Sequence, residues 1–324
     1  MRPALSEPLS PLIGISLKLL SALAFTMMSA CARWLSSRYP VGEIIFCRAF
    51  FAMIPLLIWL AFQGDLPNAI RTKYPLKHLK RGVIGSCGMF LGFTALSLLP
   101  LSDAVAFSYA TPLIVVILAA LLLKETVRSY RWSAVVLGFG GVLVMLSPHL
   151  GPAAASAPQG SGPAILGGIS VGVVVALAAA MFSALATIEV RVLTRTESTG
   201  AIVFYFMGMT SLLGLLTIFF GWNWPNLTDA GVLVAMGILG GLGQILLTQS
   251  YRYADASLVA PFEYTTMIWA VALGWFLFGE WPANAVFIGA GLVILSGIFV
   301  IWREHKLGLL RPEVQSAGPP QRNT

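Results

Sequence analysis

The sequence predicts an all-α integral membrane protein of ten transmembrane helices, arranged as two inverted five-helix repeats. Three observations carry this expectation. The first is composition: of 324 residues, 57% are hydrophobic and 10% charged, against roughly 25% charged in soluble domains, and mean hydropathy is +0.84. No soluble core buries that much apolar sequence, so lipid is part of the solvent. The second is the segregation of Lys and Arg into alternate loops. The third is an internal repeat at a spacing of 155 residues.

About 20 apolar residues cross a bilayer as a helix. Runs of that kind, separated by short polar or Gly/Pro-containing breaks, place the ten spans at 12–36, 42–62, 82–99, 103–123, 131–147, 164–187, 201–221, 230–250, 256–278 and 284–302. Span 1 contains MMSACAR (Met27 to Arg33), whose A-x-A pattern resembles a signal-peptidase site. Only Arg2 precedes the apolar run, Lys18 lies inside it, and the run is too long for a signal-peptide core, so Met1 to Arg33 are expected to stay attached. Ser29-Ala30-Cys31-Ala32 lines up with Ser183-Ala184-Leu185-Ala186 in span 6, which reads both as helix-packing faces.

Span 2 is followed by Arg71, Lys73, Lys77, Lys80 and Arg81, span 4 by Lys124, Arg128 and Arg131, and span 6 by Arg191 and Arg195. Arg252 follows span 8, and Arg303, Lys306, Arg311 and Arg322 follow span 10. The loops after spans 3, 5, 7 and 9 hold no Lys or Arg, and Arg33 and Arg38 alone fall near the other face. This is the positive-inside pattern, with both termini cytoplasmic. The expected organisation is a cytoplasmic N-terminus (1–11), a first repeat (12–147), an extracytoplasmic linker (148–163), a second repeat (164–302) and a cytoplasmic tail (303–324), polar and disordered from Leu310. The net charge of +7 sits in short loops, which fits membrane orientation rather than nucleic-acid binding.

Gly82, Gly85 and Gly88 fall on Gly237, Gly240 and Gly243 when the chain is displaced by 155. Phe107, Tyr109 and Thr111 fall on Phe262, Tyr264 and Thr266, and Glu125 falls on Glu280. Residues 82–125 and 237–280 match at twelve of forty-four positions. A unit with an odd number of spans re-enters the membrane upside down when copied, so the halves are inverted repeats. Secondary transporters commonly use this arrangement, with the substrate site near the midplane between repeats.

Ionisable groups inside spans are costly and face a cavity or a partner. Lys18 lies two turns into span 1, where it either snorkels or faces inward. Arg48 is too deep in span 2 to snorkel, and Glu43 is five residues away, off helical pairing spacing. Glu263 stands where the first repeat has Ser108, so it is either a proton-titrating or substrate-contacting group, or the partner of Lys18 or Arg48. Tyr109, Thr111, Tyr264 and Thr266 sit beside Pro112 and Pro261, which free carbonyls and kink helices. They read as binding groups or as helix-helix hydrogen bonds. Gln244 and Gln249 carry the same two readings. Trp269, Phe90 and Phe93 line an aromatic cavity or face lipid or core. The two glycine triplets favour close packing of helices 3 and 8. Glu125 and Glu280 end spans 4 and 9 at opposite faces, as structural or gate-closing groups. Cys31, Cys47 and Cys87 are small hydrophobes. His78, His149 and His305 have no metal-ligand neighbours, no catalytic motif is present, and neither metal nor cofactor is expected. The chain is not expected to be an enzyme; a channel, a membrane-embedded enzyme or a duplicated scaffold are the other classes a repeated bundle allows.

LPLSDAVAFSYATPLIVVILAALLLKETVRSYRWSAVVLGFGGVLVML and YADASLVAPFEYTTMIWAVALGWFLFGEWPANAVFIGAGLVILSGIFVI resemble the repeat of the drug/metabolite transporter superfamily, EamA type. EIIFCRAFFAMIPLL, with Arg48, is similar to that family's second helix. The resemblance covers residues 12–302. Met267 in place of Pro112, and Glu263 itself, depart from symmetry between the repeats. The resemblance implies a ten-helix carrier of a small organic metabolite, without a prosthetic group, in a bacterial plasma (inner) membrane. GEIIFCR with APFEYTTMIWA resembles the branch that takes up riboflavin and its relatives that carry S-adenosylmethionine. The expectation is uptake of a vitamin-like aromatic solute such as riboflavin, or else export of amino acids or other metabolites.

The topology is testable with fusions. Alkaline phosphatase inserted between 148 and 163 is expected to be active, phosphatase fused after Arg71 inactive, and a C-terminal fluorescent protein bright. Active phosphatase at Arg71 would overturn the ten-span count.

Overall fold

The computed structural model describes residues 11–62, 64, 66, 71–122, 128–150, 165–166, 169–193, 196–253 and 260–307. Its helices are α1 (Pro11–Leu35), α2 (Val41–Phe62), α3 (Pro75–Leu98), α4 (Leu101–Ser108), α5 (Ala110–Leu122), α6 (Ser129–Leu146), α7 (Val171–Leu193), α8 (Thr199–Leu216), α9 (Leu227–Tyr253), α10 (Thr265–Phe278) and α11 (Asn284–Lys306). Together α4 and α5 make the fourth span. The ninth is α10 with the 3-10 turn Ala260–Tyr264 before it. Among the described residues, nine segments are long and apolar enough to cross a membrane, and Phe262–Phe278 is a shorter tenth. The protein is an all-helical integral membrane bundle, apart from a two-residue hairpin pairing Ile165–Leu166 with Ile169–Ser170 between the repeats. Large apolar side chains cover its outside, Phe62, Phe219, Phe220, Trp224 and Phe276 among them, as a lipid-facing surface requires.

The span boundaries move where helix and apolar run differ. The third helix begins at Pro75, seven residues before the apolar run, because Lys77 and Lys80 ride on its first turns with their charges at the bundle end, while the Arg81 guanidinium is buried beside Gly85. Lys77 lies over the Tyr74 ring at 4.2 Å, Lys80 pairs with Glu189, and Arg81 lies over Phe206 at 4.0 Å. Long cationic stems are at home in that zone. Likewise α7 runs Val171–Leu193 rather than 164–187, starting after the hairpin and continuing through Glu189. The tail from Leu310, most of the linker (151–163) and Glu125 lie outside the described residues.

The packing has two-fold order. Helix α1 packs along α9, and α3 along α7; α5 meets α7, and α1 meets α10. Exchanging the repeats maps one pair of each set onto the other. The glycine triplets face the opposite repeat, not each other. A methyl on Gly82 would lie 2.8 Å from Met209 Cγ, on Gly88 3.2 Å from the Ser183 nitrogen, and on Gly240 2.9 Å from Met28 Sδ. Thus α3 seats on α7 and α8, and α9 on α1 and α2. The tightest seam joins α6 to α11, where Gly141 and Gly289 bring the two backbones together: a methyl on Gly141 would lie 2.6 Å from the Gly289 carbonyl oxygen. Lipid offers no hydrophobic drive for helix association, so such dispersion-rich contact carries the packing.

Calling the end where α1 begins the near end, the α7–α8 loop is fixed there by Glu197. Its carboxylate accepts from Thr72 Oγ1 at 2.8 Å and the Lys73 amide at 3.1 Å. Burial disfavours its charge, but these bonds and the facing His78 outweigh that and hold its pKa below the usual carboxylate value.

Overpacking a close seam costs about 1–3 kcal/mol. Gly289→Val is therefore expected to lower the melting temperature of the purified protein in detergent. Gly291→Ala, with no atom within 4 Å of the added methyl, is expected to leave it unchanged; equal effects would show that the seam is not backbone-limited.

Candidate functional site

The fourth and ninth spans are interrupted at matched places. In the first repeat α4 ends at Ser108 and α5 starts at Ala110, with Tyr109 at φ −67°, ψ −9° between them. In the second, the 3-10 turn ends at Tyr264, at φ −67°, ψ −11°, before α10 starts. Pro112 has no N–H for the Ser108 carbonyl, four residues earlier, which explains the first break. Pro261 lies in the 3-10 turn, before its tyrosine rather than after it, so a missing proline N–H does not account for the second break as it does for the first. Irregular backbone at membrane depth is tolerated where it lines a cavity.

A cavity of about 660 Å³ lies beside both breaks. Its wall includes Lys18, Thr26 and Ser29 of α1, Ser108, Tyr109 and Thr111 at the first break, and Arg131 of α6. Glu263, Tyr264 and Thr266 of the second break, and Ser296 and Gly297 of α11, complete it. Lys18 and Arg131 lie in the first turns of their helices and Ile301 in the last turns of its own, so the cavity runs from mid-bundle toward the near end.

Lys18 Nζ donates to Glu263 Oε2 across the repeats. Lys18 does not snorkel: its side chain is 3% exposed, whereas that of Glu263 is 49% exposed. The cation is held in protein and the carboxylate faces the open space. Tyr109 and Tyr264, 155 residues apart, meet edge to face with centroids 5.4 Å apart. Tyr109 Oη and Thr266 Oγ1 are 2.5 Å apart, and Thr266 Oγ1 lies 2.7 Å from the Glu263 carbonyl oxygen. The Tyr264 hydroxyl rests on Gly297, where a side chain would collide.

A smaller void of about 230 Å³ adjoins, sharing Ser29, Val105, Ser108 and Thr111 and reaching Gly88, Met89, Leu96 and Ser183. Arg48 is buried behind Met89. Its Nη1 contacts Met207 Sδ at 3.4 Å and Met89 Sδ at 3.7 Å, and its Nε has no partner among the described residues. It pairs with neither Glu263 nor Glu43, whose Oε2 accepts from the Asn223 amide at 3.1 Å.

At the far end, Arg33 Nη2 donates to Glu280 Oε1 at 2.8 Å, and Arg33 Nη1 to the Leu96 and Ser97 carbonyls at 2.9 and 3.1 Å. Glu280 Oε2 accepts from the Leu101 amide at 2.9 Å, at the start of α4. Gly279 sets up this contact. It ends α10 at φ 66°, a left-handed conformation natural to glycine, with its N–H on the Trp275 carbonyl and that of Glu280 on Gly274, an αL cap.

The structure thus gathers Lys18, Tyr109, Thr111, Glu263, Tyr264 and Thr266 around one cavity. Arg48 stands behind the smaller void, and Gln244, Gln249 and Trp269 do not line the cavity. Arg131, Ser296 and Arg33 were missed. Arg131 read as a loop charge, Ser296 lies in an apolar run, and Arg33 counted only as an exception to the charge alternation, which was the available signal.

The model of the EamA-like transporter family matches residues 12–147 and again 170–302. The chain is similar to the S-adenosylmethionine uptake transporter of Rickettsia prowazekii (strain Madrid E), at 29% identity over 293 residues, covering 90% of this chain and 94% of that protein. It is 28% identical to a pseudopaline exporter of Pseudomonas aeruginosa over 295 residues, 90% of this chain and 97% of the exporter. It is 27% identical to a riboflavin transporter of Rhizobium johnstonii over 303 residues, 93% and 94% of the two chains. A solved crystal structure superposes with a TM-score of 0.63 at 19% identity, covering 94% of this chain and 99% of the other, a likeness of fold.

Removing one partner of a fully buried ion pair costs about 3–5 kcal/mol; with Glu263 half-exposed, about 1–3 kcal/mol is expected. Glu263→Gln is expected to lower the melting temperature more than Lys18→Met with Glu263→Gln together, since it removes the carboxylate and keeps the buried lysine charge. A double variant as unstable as the single one would show that the pair does not matter to the fold.

Proposed function

Because the chain belongs to the EamA-like transporter family, we propose that it moves a small organic metabolite across the plasma membrane by alternating access, with the cavity at Lys18 and Glu263 as the solute site. The observation that carries this reading is the interrupted cavity itself. Two helix breaks, one from each repeat, bring a cross-repeat ion pair and paired tyrosines to a space of about 660 Å³, within the roughly 300–1,000 Å³ of small-molecule sites. The basic loops support a cytoplasmic near end, and a cavity running toward that end supports an inward-facing state.

The chemistry of the pair favours a solute with both a cationic and an anionic group. Separating Lys18 from Glu263 in a low-dielectric site leaves two charges to satisfy, and a zwitterion with an aromatic or apolar body satisfies both while packing on Tyr264 and Phe25. S-adenosylmethionine has this chemistry. Riboflavin, which is uncharged, is the second reading; it would stack on the aromatic wall and leave the pair closed. The carboxylate of Glu263, turned into the cavity, is the group placed to exchange a proton with solute binding.

The test is uptake into proteoliposomes with labelled S-adenosylmethionine, riboflavin and a set of amino acids, with and without a proton gradient. Saturable uptake stimulated by internal unlabelled solute is expected. Glu263→Gln is expected to cut it by about tenfold or more, as losing one partner of a hydrogen-bonded charge pair does elsewhere. Non-saturable flux would make the protein a channel, and absence of flux with every solute would remove the reading.

A further inference from the structure

Between the solute cavities and the far surface lies one helical turn. Ser29 of α1 lines both inner voids. Arg33, four residues on, lines a separate recess of about 370 Å³ together with Trp34, Ser36, Ser97 and Phe278. On α3 the division falls between neighbours: Leu96 lines the inner void and Ser97 the far recess. Arg33 donates to the carbonyls of both. Its other nitrogen holds Glu280, and Glu280 holds the first amide of α4. One guanidinium and one carboxylate therefore tie together the ends of α1, α3, α4 and α10.

Arg38 also edges the far recess, but neither of the other described ion pairs at this end joins cavity-lining helices of opposite repeats. Arg38 to Asp229 joins the α1–α2 loop to α9, which lines neither inner void. His149 to Asp103 joins α6's end to α4 within the first repeat. Of the described pairs at the far end, Arg33 with Glu280 is the one that joins cavity-lining helices of opposite repeats. We propose that Arg33 and Glu280 form the far-side gate, a single charged latch whose opening connects the far recess to the solute cavity. The proposal rests on the transport reading. Breaking the latch frees the carbonyls of Leu96 and Ser97 and the amide of Leu101 together, groups that water in the opened passage can take over. The gate thus opens as one unit rather than bond by bond.

The experiment places a cysteine at Ser29, with Cys31, Cys47 and Cys87 replaced by serine, and measures its labelling by a membrane-impermeant thiol reagent. The reagent is added to the extracytoplasmic face of spheroplasts and, separately, to the cytoplasmic face of inverted vesicles. In the parent, labelling is expected to be fast from the cytoplasmic side and slow from the other. Arg33→Gln and Glu280→Gln are each expected to speed extracytoplasmic labelling by about tenfold, the scale of one charge-assisted contact. The double variant is expected to exceed neither by more than twofold, since both remove the same latch. Arg38→Gln is expected to leave the rate unchanged. Gel filtration of each variant establishes that it is folded. The gate assignment is overturned if folded Arg33 and Glu280 variants label at the parent's rate, if the two effects multiply, or if Arg38→Gln opens the cavity equally. Solute flux of the parent, measured in parallel, tests transport separately: its loss there refutes the transport reading, whereas parental flux with unresponsive labelling refutes the gate alone.

Discussion

Lipid supplies no hydrogen bonds, so each backbone amide and carbonyl in the span region has to be satisfied within the protein. That constraint makes the chain a helical bundle, and it also restricts where the helices can stop. The breaks at Tyr109 and Tyr264 free backbone groups at membrane depth, and they are tolerable only in protein or beside water. The cavity lies where they occur. Architecture and site thus share one cause.

Charge follows the same logic. Lys18 with Glu263 and Arg33 with Glu280 are partly buried pairs, and each takes one member from either repeat. Their positions differ along the bundle: the first lines the cavity, the second lies beyond it toward the far end. In an inverted-repeat protein, contacts between repeats are the ones that change when access changes. Arg48 stands apart, a buried guanidinium among methionine sulfurs, close behind the wall of the smaller void. Soft thioether side chains rearrange easily, which separates Arg48 from the cavity by movable groups rather than by backbone.

Close packing lets these elements meet. The glycine triplets seat α3 and α9 against the opposite repeat, while the Gly141–Gly289 seam holds α6 to α11. The tyrosines at the breaks face one another because the repeats are related by a two-fold axis, so residues 155 apart in sequence become neighbours near that axis.

The number of spans and the duplication were legible because each rests on a signal carried by the chain alone: apolar length and self-similarity. Glu263 was legible as a charge that breaks the symmetry, and Tyr109, Tyr264 and Thr266 as polar tips beside prolines. Span ends were less so, since α3 and α7 run past their apolar stretches on residues whose stems suit the bundle end. What the sequence could not decide was pairing. Whether Glu263 meets Lys18 or Arg48, and whether Arg33 is a stray positive charge or a latch on Glu280, depends on how α1, α2 and α10 cross. That crossing is set by side-chain packing between segments more than two hundred residues apart, for which local composition and periodicity carry no signal.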